Sequence, residues 1–171
     1  MFIAHLPAGY IGACAIEHCV AREAPAIRLW VFRLFIIGSM LPDVDVFYFY
    51  IVDHCAHHHH RYWTHLPFFW IAFYVIALVT AIVSRSRALA LFATSLAAGI
   101  LFHLILDTPM GGLAWFYPYS DNLIYLTTVP AQYNWWVWNF ILHWTFISEL
   151  IVCCIAGALY FYRNERKTTQ A

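Results

Sequence analysis

Charged side chains are scarce in this chain: Asp, Glu, Lys and Arg make up only 11% of its 171 residues, whereas 63% are hydrophobic. A soluble domain of this length would have about a quarter of its residues charged, so the composition excludes an ordinary soluble domain. The formal net charge is zero, and no basic excess favours nucleic acid as a partner. The composition therefore indicates a membrane protein, which we treat as a single domain over residues 1–171.

Other absences narrow the possible functions. The five cysteines show no Cys-x-x-Cys spacing, and four of them lie in apolar segments, so no disulfide framework is indicated. The order of residues offers no Ser–His–Asp triad. The pair Gly111 and Gly112 follows Pro109 and is typical of a turn, not of a phosphate-binding loop.

Apolar segments recur along the chain. A helix that crosses the hydrocarbon core needs about 20 mostly apolar residues. Pro25 suits a first helical turn, and Pro42 would end the helix that follows. We therefore predict an all-α, polytopic bundle of transmembrane helices with about five spans, at residues 2–20, 26–41, 66–83, 88–106 and 143–162. The apolar run at residues 46–52 is too short to cross the membrane, so we expect it to lie in the interface or to re-enter.

The basic residues orient these spans. Cytoplasmic loops are enriched in Lys and Arg, so residues 84–87 and the basic tail from Arg163 are predicted to be cytoplasmic and the N-terminus to be outside. Eight of the nine basic residues then lie inside, with Arg61 as the exception, while nine of the ten histidines and seven of the eight tryptophans lie outside. Trp prefers the headgroup level. The outer loop, residues 109–142, is therefore predicted to lie along the interface, either as an aromatic anchor or as a lid over a site.

His103 and Asp107 form the sharpest local motif. Residues four apart on a helix share a face, so both side chains can reach one ion. Ionisable groups at membrane depth are costly and are functional candidates. The alternative is a structural His–Asp hydrogen bond between helices.

A second motif, LPDVD, ends the short second span on the same predicted side. It contains Asp43 and Asp45, whose carboxylates suit a hard or borderline cation. The alternative is a polar helix end that faces water.

The third motif is the histidine run within residues 57–65. Imidazole is the commonest transition-metal ligand, although not all five histidines can face one site. We predict His60 and His65 as ligands and expect His57 and His58 to lie on the surface or behind the ligands. Thr64 is predicted to orient a ligand or a bound water.

Three residues near the outer ends of spans complete the candidates. His5 lies in the first span. It is a candidate ligand only because of its predicted depth in the membrane and because it lies on the same side of the membrane as the other candidates. Glu149 lies inside the membrane in the last span, where a buried carboxylate needs a partner or a proton. We predict a supporting role for Glu149 over a purely structural one. His143 is an extra ligand, a general acid or an interfacial residue.

Taken in order, these motifs resemble the bacterial membrane-bound metal-dependent hydrolase family, the YdjM-like and YbcI-like proteins. That family carries an early His, an LPDxD segment, an HRGxTHS segment and an HxxxDxxT-like segment. The corresponding residues here are His5, Asp43 and Asp45, His60 to His65, and His103 to Asp107 with Thr108 close behind.

This resemblance covers roughly residues 5–118, about two thirds of the chain. The chain departs from the family pattern at Tyr62, where Gly is usual, at Leu66, where Ser is usual, and at Val46, where His is frequent. The motif order is also similar to that of zinc-dependent phospholipases C. That similarity implies that Asp107 bridges two ions and that His5 serves the second.

We therefore predict a metal-dependent hydrolase of the bacterial inner membrane with its site on the periplasmic side. One or two zinc ions are expected, with manganese or iron as alternatives. The predicted ligands are Asp43, His65, His103 and Asp107, followed by His5, Asp45 and His60.

The expected substrate is a phosphoester of a lipid or a lipid-linked molecule in the bilayer, although an amide would fit the same site. The expected catalytic residues are Arg61, which would hold the phosphate through its fork of donors, together with Thr64, His143 and Glu149. The alternatives are a metal transporter or sensor, and a non-catalytic membrane protein with a structural metal site.

Overall fold

The computed structural model describes residues 3–169, without the side chains at positions 136, 167 and 169. Five helices correspond to the five predicted spans: α1 (His5–Cys19), α2 (Pro25–Met40), α4 (Pro67–Val83), α5 (Arg87–Gly111) and α7 (Phe146–Thr169). Two short helices, α3 (Asp45–Ile51) and α6 (Trp136–Ile141), lie in the connections. Residue 2 of the first predicted span and the side chains of Trp136 and Lys167 fall outside the described residues.

Proline and glycine set several of these boundaries. Pro25 and Pro67 each occupy the first turn of a helix, where the missing N–H leaves no hydrogen bond unmade. A 3-10 turn at Pro42–Val44 separates α2 from α3. α5 ends at Gly111, and the next residue, Gly112, has a φ of +67°, in the left-handed region that glycine tolerates.

α5 is the central helix and packs against α1, α2 and α4, while α7 packs along α1. α2 and α5 approach most closely at two glycines: a Cβ atom at Gly38 would meet the carbonyl oxygen of Leu96, and one at Gly99 would meet that of Phe35. Small residues allow such close approach between membrane helices. The two helices are also joined by a hydrogen bond of 2.6 Å from the Ser95 hydroxyl to the carbonyl of Val31.

The outward faces of the helices are apolar. On α4, Ile71 and Ile76 are 61% and 64% exposed, which suits contact with lipid. Two helices are long and apolar enough to cross a membrane, Arg87–Gly111 and Phe146–Arg166. The pair Pro25–Met40 and Pro42–Ile51, bent by 50°, would be a third. The chain is thus a helical membrane protein, but its described residues do not confirm the predicted count of five spans.

The two ends of the bundle differ in chemistry. At one end, Glu17 accepts hydrogen bonds from Arg163 at 2.6 Å and from Arg28 at 3.2 Å, which ties together α1, α7 and α2. Glu23 accepts hydrogen bonds from Arg87 at the start of α5. The candidate metal ligands lie at the opposite end. Which end faces the periplasm stays a prediction.

Candidate metal centre

Six predicted ligands meet where the start of α1, the turn after α2, the loop before α4 and the last turns of α5 come together. They are His5, Asp43, His60, His65, His103 and Asp107. All except Asp43 are buried, and the Asp43 side chain is 28% exposed. The structure therefore brings together residues that are up to 102 positions apart in sequence.

Asp107 lies at the centre of this cluster. Its Oδ1 atom is 2.9 Å from Nε2 of His5, and its Oδ2 atom is 3.0 Å from Nε2 of His103. The same Oδ2 atom is 3.7 Å from Nε2 of both His60 and His65. One carboxylate therefore contacts or approaches four imidazoles.

Asp43 faces the same imidazoles from the other side. Its Oδ1 atom is 3.6 Å from Nε2 of His65 and 3.6 Å from Nε2 of His103. Its Oδ2 atom is 3.9 Å from Nε2 of His5. These distances are close to the spacing of about 3.3 Å between ligands around a tetrahedral zinc ion with bonds of about 2.0 Å.

Three buried imidazole nitrogens of the cluster make no hydrogen bond within residues 3–169: Nδ1 of His5, Nε2 of His65 and Nε2 of His103. The two Nε2 atoms face carboxylate oxygens of Asp43 and Asp107 at 3.0–3.7 Å without hydrogen-bond geometry. Buried polar atoms normally have a partner, and an orphan needs an explanation such as an ion. Imidazoles and carboxylates together form a donor set that zinc accepts, so these residues fit the predicted metal.

Backbone carbonyls hold two of the imidazoles from behind. Nδ1 of His103 lies 2.8 Å from the carbonyl oxygen of Ser39, and Nδ1 of His60 lies 3.2 Å from that of Gly112. A donated Nδ1–H fixes the ring so that Nε2 is the free ligand atom. Both rings are therefore oriented with Nε2 toward Asp107.

Asp45 lies behind His65 and does not face the other ligands. Its Oδ2 atom is 2.8 Å from Nδ1 of His65 and accepts a hydrogen bond from the hydroxyl of Thr64. The Thr64 carbonyl in turn accepts a hydrogen bond of 2.6 Å from the indole N–H of Trp70. Of the two aspartates in LPDVD, Asp43 thus faces the cluster. Asp45 instead orients the His65 ring, and Thr64 donates a hydrogen bond to Asp45.

Protonation differs among the histidines of the loop. Burial lowers the pKa of His60 well below its usual value and lowers the pKa of His59 to about 4. Both are therefore neutral at pH 7, which is the form that binds a metal. Burial also opposes charge on His65, but the neighbouring carboxylates, with Asp107 first, outweigh it and raise its pKa to about 10. Binding of a metal by Nε2 of His65 would therefore release a proton.

An apolar cavity of about 490 Å³ adjoins the cluster. Its charged and imidazole lining residues are Asp43, His58, His59 and His60. Its walls come from α3, the end of α5 and α6 and include Val46, Phe47, Tyr50, Met110 and Phe140. Small-molecule sites typically measure about 300–1,000 Å³ and combine apolar walls with a few polar groups, so this cavity is suited to bind a ligand beside the cluster.

A family model described as YdjM inner membrane protein matches residues 1–168. The chain belongs to the YdjM inner membrane protein family. No curated protein and no solved structure is significantly similar to it. The family assignment confirms the YdjM-like resemblance and, with the apolar helices, makes this an inner membrane protein. The similarity to phospholipases C stays a prediction.

In this YdjM-family protein, Glu149 lies outside the cluster and contacts the start of α1. The carboxylate is buried, and its Oε2 atom accepts hydrogen bonds from the backbone N–H groups of Ile3 at 2.7 Å and Ala4 at 3.2 Å. Both groups lie at the start of α1, where the helix dipole favours a negative charge. Glu149 therefore holds the helix end that carries His5.

The structure does not bring two other predicted residues into the cluster. His143 is half-buried, and its Nδ1 atom lies 2.7 Å from the hydroxyl of Thr145. Arg61 has an exposed side chain and does not line the cavity. Their proposed catalytic roles stay predictions.

The sequence did not indicate the positions of Ser39 and Gly111 beside the cluster, and it left open which histidines of the run besides His60 face inward. His59 forms a second group of potential ligands with His60 and His65. Gly111 leaves room for His60, because a Cβ at this position would collide with the His60 ring. The histidine run was a signal for His59, but it does not show which of four consecutive imidazoles points inward.

Proposed function

We propose that this protein is a metal-dependent hydrolase that cleaves a phosphoester of a lipid or lipid-linked substrate at the periplasmic face of the inner membrane. The observation that carries the proposal is the convergence of His5, Asp43, His103 and Asp107, with donor atoms within 4.8 Å of one another. These four residues would hold a zinc ion, with manganese or iron as alternatives. Asp43 also lines the apolar cavity, which connects the metal site to a place where substrate can bind.

A bound zinc ion would act as a Lewis acid on a phosphoryl oxygen and would lower the pKa of its bound water to near neutrality. The chain's own residues prepare the site for this chemistry. Two carboxylates balance the positive charge of the ion, and the bonds to Nδ1 of His65 and His103 keep both rings in place. Burial of every ligand except Asp43 leaves the cavity side as the route by which substrate and water arrive.

The form of the cavity supports an amphiphilic substrate. It combines apolar walls with the polar lining residues Asp43, His58, His59 and His60. A lipid phosphoester would place its phosphate beside these polar residues and its hydrocarbon chain along the apolar walls. Phe47 and Ile51 of α3 are 70% and 69% exposed, so the same segment offers an apolar surface to the bilayer.

Arg61 is the proposed phosphate ligand from outside the cluster. Its guanidinium is close enough to lower the pKa of His58, after the larger effect of burial on that imidazole. His58 lines the cavity. A guanidinium near His58 can bind two oxygens of a phosphate ester.

A structural metal site is the second candidate. His5, Asp43, His103 and Asp107 supply four donors, which is the number that closes a tetrahedral structural zinc site. Transport has less support, because groups of three or more potential ligands among residues 3–169 lie at this end of the bundle alone. Turnover distinguishes a catalytic site from a structural one.

The test is hydrolysis of defined phosphoesters by zinc-loaded protein that was purified without nickel resin. Vesicles would carry phosphatidyl lipids in one assay and polyprenyl phosphoesters in another. We expect release of phosphate or a phosphorylated headgroup, lost in His103→Ala and kept in His57→Ala, which changes an exposed histidine paired with Asp53. Zinc-loaded, folded protein that cleaves none of these esters would favour the structural site.

A further inference from the structure

We infer that His59, His60 and His65 hold a second divalent metal ion on the side of the cluster that faces the cavity. The inference rests on the proposed function, because it takes His5, Asp43, His103 and Asp107 as the first metal site. The donor atoms of the three histidines lie within 4.8 Å of one another. A set of three imidazole nitrogens is one of the common ligand sets of catalytic zinc.

The three rings are packed against one another around this position. The centroids of His59 and His60 are 4.2 Å apart, those of His60 and His65 are 4.7 Å apart, and those of His59 and His65 are 5.3 Å apart. Nδ1 of His60 faces the carbonyl of Gly112, and Nδ1 of His65 faces Asp45. The Nε2 atoms of both rings are therefore directed inward.

His65 supplies an independent indication of a ligand. Its side chain is fully buried, and Nε2 makes no hydrogen bond within residues 3–169. The nearest carboxylate oxygens, from Asp43 and Asp107, lie 3.6 and 3.7 Å away, beyond hydrogen-bonding distance. A buried nitrogen that is held from behind and faces two carboxylates at this spacing is suited to bind an ion together with them.

Two carboxylates lie between the two positions. The Oδ1 atom of Asp107 lies 2.9 Å from His5, and its Oδ2 atom lies 3.0 Å from His103 of the first site and 3.7 Å from both His60 and His65 of the second. The Oδ2 atom of Asp43 lies 3.9 Å from His5, and its Oδ1 atom lies 3.6 Å from both His103 and His65. Carboxylate oxygens that lie between the histidines of both groups are suited to bridge two ions, which in two-metal sites lie about 3.5–4 Å apart.

The two positions differ in how open they are. The first has four protein donors, whereas the second has three histidines, of which His59 and His60 line the cavity. Catalytic zinc sites keep a position open for water or substrate. The second ion would therefore be the one that meets the phosphoryl group, and the first would support it.

Metal stoichiometry tests this inference without an activity assay. Untagged protein in detergent would be stripped with a chelator, reloaded with zinc, and measured by elemental mass spectrometry against protein concentration. We expect two equivalents of zinc in the wild type, one in His59→Ala and two in His57→Ala. His57 is the matched control because it lies in the same run but is 72% exposed and paired with Asp53 at 2.7 Å.

A second pair of variants perturbs the same position without removing a ligand. Gly111→Ala places a methyl group against the His60 ring, whereas a Cβ at Gly157 meets nothing within 4 Å. We expect one equivalent of zinc in Gly111→Ala and two in Gly157→Ala. Reloading with cobalt gives a second readout, since the visible absorption of the second equivalent should disappear in the variants that lose it.

The outcomes separate this inference from the proposed function. A single equivalent in the wild type that His103→Ala removes would overturn the second ion and leave the first site intact. Two equivalents in both the wild type and His59→Ala would also overturn it. No metal in the wild type would overturn both proposals.

Discussion

Nε2 of His5 lies 2.9 Å from Oδ1 of Asp107, although the two residues are 102 positions apart in the chain. The His5 ring also stacks on His103, with centroids 3.8 Å apart. The first residue of α1 is therefore placed against the last turns of α5. The geometry of the candidate site depends on how firmly the start of α1 is held, and Glu149 of α7 holds it.

We expect Glu149→Ala to destabilise the protein by about 1–3 kcal/mol, because it removes a buried acceptor from two backbone N–H groups. Thermal unfolding of the detergent-purified protein checks this. Glu149→Gln should recover most of the loss, since its carbonyl oxygen can still accept. An alanine variant as stable as the wild type would show that Glu149 does not hold α1.

Replacing Asp45 with Asn should weaken zinc binding by about 10–100-fold, which is the usual effect of losing a partner behind a metal-bound histidine. The reason is that Asp45 accepts from Nδ1 of His65 at 2.8 Å. Competition with a chelator gives the affinity. Asp53→Asn is the matched control, because Asp53 pairs with the exposed His57 at 2.7 Å. Equal affinities for the two variants would argue against the role given to Asp45.

Gly99→Ala should loosen the contact between α2 and α5, because the added Cβ meets the carbonyl oxygen of Phe35. Overpacking of this kind costs about 1–3 kcal/mol. The melting temperature should fall in Gly99→Ala and stay near the wild-type value in Gly157→Ala, whose Cβ meets nothing within 4 Å. If both variants melt alike, close packing at Gly99 does not contribute to stability.

Much of the helical framework could be predicted from the chain. The apolar runs placed five helices close to their observed bounds, and Pro42 ended α2 as expected. The extension of α5 through Pro109 to Gly111 was not predicted, because proline is unfavourable inside a helix. In the structure the Pro109 carbonyl accepts hydrogen bonds from the backbone N–H groups of Leu126 and Thr127, and these link the end of α5 to the loop that follows.

The ligand types were predictable because ionisable groups in an apolar chain are rare. The spatial arrangement of these residues was less predictable from the sequence. Asp43 and Asp45 are two residues apart, and only the 3-10 turn at Pro42–Val44 decides which carboxylate faces the cluster. The carbonyl of Ser39, which orients His103, has no signal in the sequence, since every residue has a carbonyl. The inward orientation of His59 was left open, because four identical residues in a row show no periodicity.

Arg61→Ala should raise the KM for a phosphoester substrate by about tenfold or more, which is the effect expected from losing a charge-assisted hydrogen bond. Zinc content should not change, because Arg61 is exposed and outside the cluster. Steady-state kinetics and elemental analysis of the same sample give both numbers. A parallel loss of zinc would refute a role restricted to substrate binding.

The central claim is that His103 and Asp107 bind a metal ion and do not merely pair with each other. Elemental mass spectrometry of detergent-purified protein, kept away from nickel resin, tests it most directly. We expect at least one equivalent of zinc in the wild type and its loss in His103→Ala and Asp107→Ala, with helical content retained in both. A folded wild type that binds no metal, even after reloading with zinc, manganese or iron, would contradict the claim and leave the two residues as a packing pair.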